Sequence, residues 1–144
     1  MASKSKVCFF FEHKEFSLEK RGQLKRFIES LFKKEKRELD SINYIFCTDK
    51  RLLKINQDFL YHDYFTDIIT FDLSESKKTV AEVYISIDRV RENSLKLGVF
   101  FRHELLRVIF HGALHLCGYT DKTIKGEKEM RAREDYYLLK YSQT

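Results

Sequence analysis

Two histidines four residues apart stand in the segment His111-Gly112-Ala113-Leu114-His115-Leu116-Cys117-Gly118-Tyr119-Thr120-Asp121. On a helix, four residues advance by about 400°, a net displacement of about 40°, so both imidazoles share one face a turn apart. That geometry lets two ring nitrogens meet one metal ion, as they do in the H-E-x-x-H zinc motif. Gly118 stands where such a helix would end, because glycine takes the left-handed C′ conformation cheaply. A chain that reverses there brings Asp121 back towards the same ion as a third ligand. Three protein ligands leave one position open for water, the arrangement of a catalytic rather than a structural zinc site. A pair of satisfied core histidines would explain the H-x3-H spacing, but not the glycine and the acid that follow it.

The residue after the first histidine is Gly112, not the Glu that serves as general base in H-E-x-x-H peptidases. A base must therefore come from elsewhere, and Glu104 and Glu82 are both candidates. Their simpler reading is as ordinary helix and strand charges.

The histidines need a helix, and the apolar pattern supplies one from about Phe101 to Cys117, marked by Leu105, Val108, Ile109 and Leu116. Other helices are expected from a Ser17 cap to about Arg37, after an Asp49 cap, near Asp88 to Lys96, and from about Gly126 to Tyr141. The first carries the stripe Leu24, Phe27, Ile28, Leu31 and Phe32, and the last places Met130, Tyr137 and Tyr141 on one side. Strands are expected at Val7 to Glu12, Ser41 to Thr48, Asp67 to Asp72 and Val80 to Ile87, the last two forming a hairpin. The expected fold class is α+β: a small mixed sheet of about four strands packed with helices, with the metal site on a central, zincin-like helix.

At 144 residues, with no linker or repeat, the chain reads as one domain over residues 1–144. No apolar run is long enough for a membrane span, and the stretch after the basic Met1 to Lys6 is too short for a signal peptide. Cys8, Cys47 and Cys117 are odd in number and irregularly spaced, which argues against a disulfide framework and for a reducing cytoplasm. The net charge of +5 suits an anionic partner such as RNA, though solubility alone would explain it.

The metal segment resembles the H-G-x-L-H-L-x-G-Y-D-H signature of the YbeY family, bacterial rRNA maturation factors described as single-strand-specific, metal-dependent endoribonucleases. Its last two positions differ here: Thr120 replaces the Asp, and Asp121 the third His. A second family run, L-N-x-x-Y-R-x-x-D-x-x-T-D-V-L-S-F, resembles the stretch from Ile55 to Phe71. G-D-I-x-I-S is similar to Ala81 to Ser86, and M-R-x-x-E recurs as Met130 to Glu134. Leu60 stands where the family has Arg, and Arg51, Arg89 or Arg107 could supply a cation instead.

The resemblance implies one zinc ion on His111, His115 and Asp121, with His111 and His115 central to catalysis. It implies hydrolysis of single-stranded RNA in 16S rRNA 3′-end maturation and ribosome quality control, with rRNA and the ribosome as partners and no DNA or membrane. Lys50, Arg51, Lys54, Arg89 and Arg91 could hold the phosphate chain, and Tyr61, Tyr64 or Tyr119 could stack on unpaired bases. The alternatives are a ribosome-assembly factor that binds RNA without cutting it, and a small metallopeptidase, which Gly112 disfavours.

Overall fold

The computed structural model describes residues 5–144, so most of the basic N-terminal stretch falls outside it. Its elements are strand β1 (Val7–Phe11), helix α1 (Arg21–Lys34), strand β2 (Leu39–Cys47), helix α2 (Asp49–Leu60), strands β3 (Ile68–Asp72) and β4 (Thr79–Ser86), and helices α3 (Ile87–Leu97), α4 (Phe101–Leu116) and α5 (Ile124–Ser142). The sheet order is β1-β2-β4-β3. β1, β2 and β4 run parallel, while β3 pairs antiparallel with β4 and closes the expected hairpin at one edge. The α+β class with a four-stranded mixed sheet is what the sequence pattern anticipated.

Period-2 burial assigns the two faces of the sheet. Ile42, Tyr44 and Phe46 of β2, with Ala81, Val83 and Ile85 of β4, join the main core with α1, α3, α4 and α5. Cys47 and Ile69 point to the other face, where Leu52 and Ile55 of α2 cover them and Phe71 and Tyr84 pack alongside. The three cysteines are free. Burial pushes the Cys47 and Cys117 thiols up to about 12, which leaves them small core hydrophobes rather than reactive groups.

α4 is the helix that must be central, and it is apolar on most sides, with Leu105, Val108, Ile109, Phe110, Ala113 and Leu114 all buried. The buried Tyr44 hydroxyl donates to the Ile109 carbonyl at 3.0 Å and ties α4 to β2. Gly112 faces the sheet: a Cβ there would meet Ile68 Cδ1 at 3.0 Å and Val83 Cγ1 at 3.1 Å. The residue that is Glu in peptidase motifs is therefore glycine because the helix lies too close to β3 and β4 for a side chain.

Several helix starts differ from expectation. Ser17 does not cap α1, which begins at Arg21 behind Lys20 in the left-handed conformation. Phe16 and Leu18 are buried, so the chain stays pressed on the core until it has passed them. α1 stops at Lys34 rather than Arg37, because Lys36 turns left-handed and the Arg37 N–H returns to the Phe32 carbonyl. Thr48, not Asp49, caps α2 by accepting from the Arg51 N–H, and the Asp49 carboxylate is taken by Arg89 and Ser86.

A polar network joins the end of α1 to the segment that follows α4. Glu35 accepts from Tyr119 at 2.9 Å and also from Arg133 and Tyr137 of α5. Burial works against its charge, but these donors outweigh it and hold the Glu35 carboxyl below the usual carboxylate range. A depressed folded pKa means the network contributes fully above the ordinary value and is lost as pH falls through the folded one. Glu35→Gln is thus expected to cost about 2 kcal/mol near neutral pH, with the deficit shrinking as pH falls below the ordinary carboxylate range, as read by urea unfolding at neutral and acid pH.

Candidate metal centre

The site is assembled where α4 ends. His111 and His115 occupy one face of its last turns, with ring centroids 4.8 Å apart. The helix closes in a Schellman turn: the Gly118 N–H donates to the His115 carbonyl at 3.0 Å and the Tyr119 N–H to the Leu114 carbonyl at 3.1 Å. Gly118 has φ 102°, a left-handed conformation that calls for glycine, whereas the atom a Cβ would meet at 2.8 Å is the movable tip of the Arg37 side chain. The reversed chain brings Asp121 back over the histidines. One carboxylate oxygen is 3.4 Å from His111 Nε2 and the other 3.5 Å from His115 Nε2. One donor atom from each of the three lies within 4.8 Å of the others. A tetrahedral ion with bonds of about 2.0–2.1 Å keeps its donors about 3.4 Å apart, so two imidazole nitrogens and a carboxylate oxygen gathered this closely could hold a metal ion.

Behind the triad stands Glu134 of α5, 3% exposed, with its Oε2 2.6 Å from His111 Nδ1. A carboxylate there holds the proton on Nδ1, assigned from this contact, and leaves the Nε2 lone pair aimed at Asp121 and His115. Glu134 is itself held by Arg107 at 3.4 Å, and Arg107 pairs with Glu104. For His111, burial opposes protonation, but Glu134, Asp121 and Asp67 outweigh it and raise its pKa. His115 moves the other way, lowered by burial and by the charge of His111.

Glu134 closes the Met130 to Glu134 run, and its partner is set by the fold. It was legible nonetheless: Met130, Glu134, Tyr137 and Tyr141 fall on one helical stripe, and all four are buried. A carboxylate inside such a stripe needs a partner.

The triad opens on a cavity of about 600 Å³ between the end of α4, the α2–β3 connection and strand β3, lined also by Asn56, His62, Tyr64, Asp67, Thr70 and Lys122. A larger cavity of about 770 Å³, lined by Lys6, Glu29, Arg37 and Asp40 among others, has no His or Cys in its wall. Neither suggested base reaches the triad's cavity. Glu104 is 2% exposed and paired with Arg107, and Glu82 lies on the α2 face beside the Tyr84 hydroxyl. Besides the ligand candidate Asp121, the carboxylates that do line it are Asp72, whose Oδ1 accepts from the Ser74 N–H at 3.0 Å, and Asp67, whose pKa is raised by burial despite the opposing pull of His111.

The three suggested arginines are likewise engaged elsewhere. Arg51 pairs with Glu12, Arg89 with Asp49 and Glu92, and Arg107 with Glu104 and Glu134. Lys122, which sequence reasoning overlooked, is the Lys or Arg in this cavity wall among the described residues. Tyr119 donates to Glu35 and is structural, whereas Tyr61 and Tyr64 are 88% and 56% exposed.

Residues 10–142 match the family model described as Endoribonuclease YbeY. The chain belongs to the YbeY family. It is 48% identical to the Endoribonuclease YbeY of Cytophaga hutchinsonii, over 92% of this chain and 93% of that protein. It is 40% identical to that of Porphyromonas gingivalis, over 97% and 93% respectively. The fold is similar to a solution structure of a Thermotoga maritima protein, with a TM-score of 0.65 at 28% identity over 94% of this chain and 88% of that one. Against the YbeY signature, Asp121 keeps a metal-competent oxygen where the motif has its third histidine. Leu60 lines the cavity at the position of the motif's arginine, and Lys122 lines the same cavity.

Proposed function

We propose that this chain is a zinc-dependent endoribonuclease that cuts single-stranded RNA during rRNA maturation in the cytoplasm. The observation that carries the reading is the His111–His115–Asp121 triad, braced by Glu134 and opening on a cavity that also holds Asp67 and Lys122. Two nitrogens and one carboxylate oxygen favour a single zinc ion. The relatives' description as endoribonucleases supports RNA as the substrate. Among the described residues no helix is long and apolar enough to cross a membrane.

When bound, zinc supplies a Lewis acid that polarises a phosphoryl oxygen and acidifies a water molecule. The chain's own residues would do the rest. His111 and His115 present their Nε2 atoms, and Glu134 keeps the His111 ring from turning. Asp67, half-withdrawn from solvent in the cavity wall, would accept the proton of the attacking oxygen, whether from water or from an RNA 2′-OH. Lys122 would pair with a phosphate oxygen beside the scissile bond, the task that leucine at position 60 cannot perform.

Lys122→Ala is expected to lower kcat/KM about three- to tenfold, chiefly through KM, and to make the salt dependence of binding shallower by about one phosphate contact. Lys122→Arg should restore both, with cleavage kinetics and salt titration as the measurements. The reading as a whole is tested by cleavage of a single-stranded RNA oligonucleotide with zinc-loaded, metal-stripped and His115→Ala protein. Cleavage by the loaded wild type alone supports it. Full zinc occupancy without cleavage would leave only an RNA-binding role.

A further inference from the structure

One wall of the metal cavity is built for something other than coordination. The α2–β3 connection carries His62 and Tyr64, whose rings stack with centroids 5.1 Å apart and planes inclined by 21°. Tyr64 Oη and His62 Nδ1 are 2.9 Å apart. Both residues are exposed, yet the connection is tied down. Asn56, 1% exposed on α2, donates from its side chain to the Tyr64 carbonyl at 2.9 Å, and its own carbonyl accepts from the His62 N–H at 3.1 Å. Gln57 donates to Asp63 at 2.6 Å. The aromatic pair is therefore in place before any ligand arrives, which lowers the entropy cost of binding to it. Exposed, pre-positioned rings that share a wall with metal ligands make a stacking surface for an unpaired base.

The edge of the sheet adds a second, independent observation. The Asp67 carbonyl accepts from the Ser86 N–H at 2.9 Å, and the Leu73 N–H donates to the Val80 carbonyl at 2.8 Å. Between these points Ile69 lies opposite Tyr84 and Phe71 opposite Glu82. Antiparallel alternation thus turns the amides of Ile69 and Phe71 towards β4, and those of Ile68, Thr70 and Asp72 away from it. β3 is an edge strand, and these three outward residues line the cavity. The Ile68 carbonyl is taken by the Thr66 hydroxyl. Thr70 offers a neighbouring N–H and C=O side by side. An adjacent donor and acceptor are what each RNA base presents on its Watson–Crick edge, and a base already paired cannot offer them.

We propose that the His62–Tyr64 pair and the open edge of β3 at Thr70 form a subsite for one unpaired base next to the reacting phosphate, and that this subsite enforces a preference for single strands. The inference rests on the ribonuclease reading above. The aromatic pair favours a nucleobase over an extended peptide added to the same edge.

The test uses an RNA oligonucleotide cut at one mapped bond, with nucleotides around that bond replaced in turn by an abasic residue or by N3-methyluridine, which keeps a ring to stack but blocks its pairing edge. One position beside the bond is expected to be sensitive, with kcat/KM falling about tenfold for the abasic residue and severalfold for the methylated base. Tyr64→Ala should slow the unmodified substrate about tenfold and no longer respond to the abasic residue, while Tyr64→Trp retains the response and both bind zinc like the wild type. A zinc-loaded wild type that cuts RNA with a flat response, or a Tyr64→Ala protein with undiminished sensitivity, overturns the subsite. If the loaded wild type cuts no RNA, the ribonuclease reading falls. The subsite is then decided by 2-aminopurine placed in the strand: quenching on binding that Tyr64→Ala abolishes upholds it, and quenching that Tyr64→Ala leaves intact, or no quenching, removes it.

Discussion

His115→Ala is expected to lose stoichiometric zinc and to reduce RNA cleavage at least about a thousandfold, a loss of roughly 4 kcal/mol in transition-state stabilisation. The side chain is 32% exposed, and its ring faces His111 and Asp121 at the cavity wall. Removing it therefore leaves the core of α4 untouched, and the circular dichroism spectrum and urea midpoint should stay close to wild type. His111→Ala removes the same chemistry but makes a poorer control. Its Nδ1 is the partner of Glu134, so truncation strips one contact from a carboxylate that is 3% exposed. The two variants should be alike in activity and unlike in stability, which unfolding and cleavage measured on the same preparations would show.

Glu134→Gln carries the second large effect. The amide keeps the shape of the carboxyl and can still accept from His111 Nδ1, but the negative charge is gone. Zinc affinity is expected to fall about tenfold to a hundredfold, the usual consequence of removing a carboxylate that orients a ligating histidine. Cleavage should fall in step at limiting zinc and recover in part when zinc is saturating, because Glu134 positions a ligand and does not touch the reacting atoms. Zinc titration against a chromophoric chelator, paired with cleavage rates across zinc concentrations, measures both. An unchanged affinity would reduce Glu134 to a structural partner of Arg107.

The contrast between those two residues shows what could be read from the chain itself. His111 and His115 follow from helix periodicity together with the motif around them, and Gly118 marks the turn that returns Asp121, because a left-handed C′ residue has a strong chemical preference. The four strands were legible from β-branched and aromatic runs. Their order was not: β2 lies beside β4 while β3 is pushed to the edge, a long-range pairing that no local pattern encodes. For the same reason Asp67 could not be joined to the histidines, since it comes from the α2–β3 connection and meets them only in the folded cavity, whereas Lys122 stands next to Asp121 in the chain and was overlooked. Helix starts failed where burial overruled capping preference, as with Ser17 between the core residues Phe16 and Leu18. Gly112 was read correctly as the absence of a base, but its cause, the close approach of α4 to Ile68 and Val83, needed the structure.

Elemental analysis of the purified chain decides whether His111, His115 and Asp121 hold a metal ion. One zinc per chain is expected in the wild type and none in His115→Ala at unchanged fold. A wild-type chain that carries no stoichiometric metal, and takes up none when titrated with zinc, would contradict a metal site there.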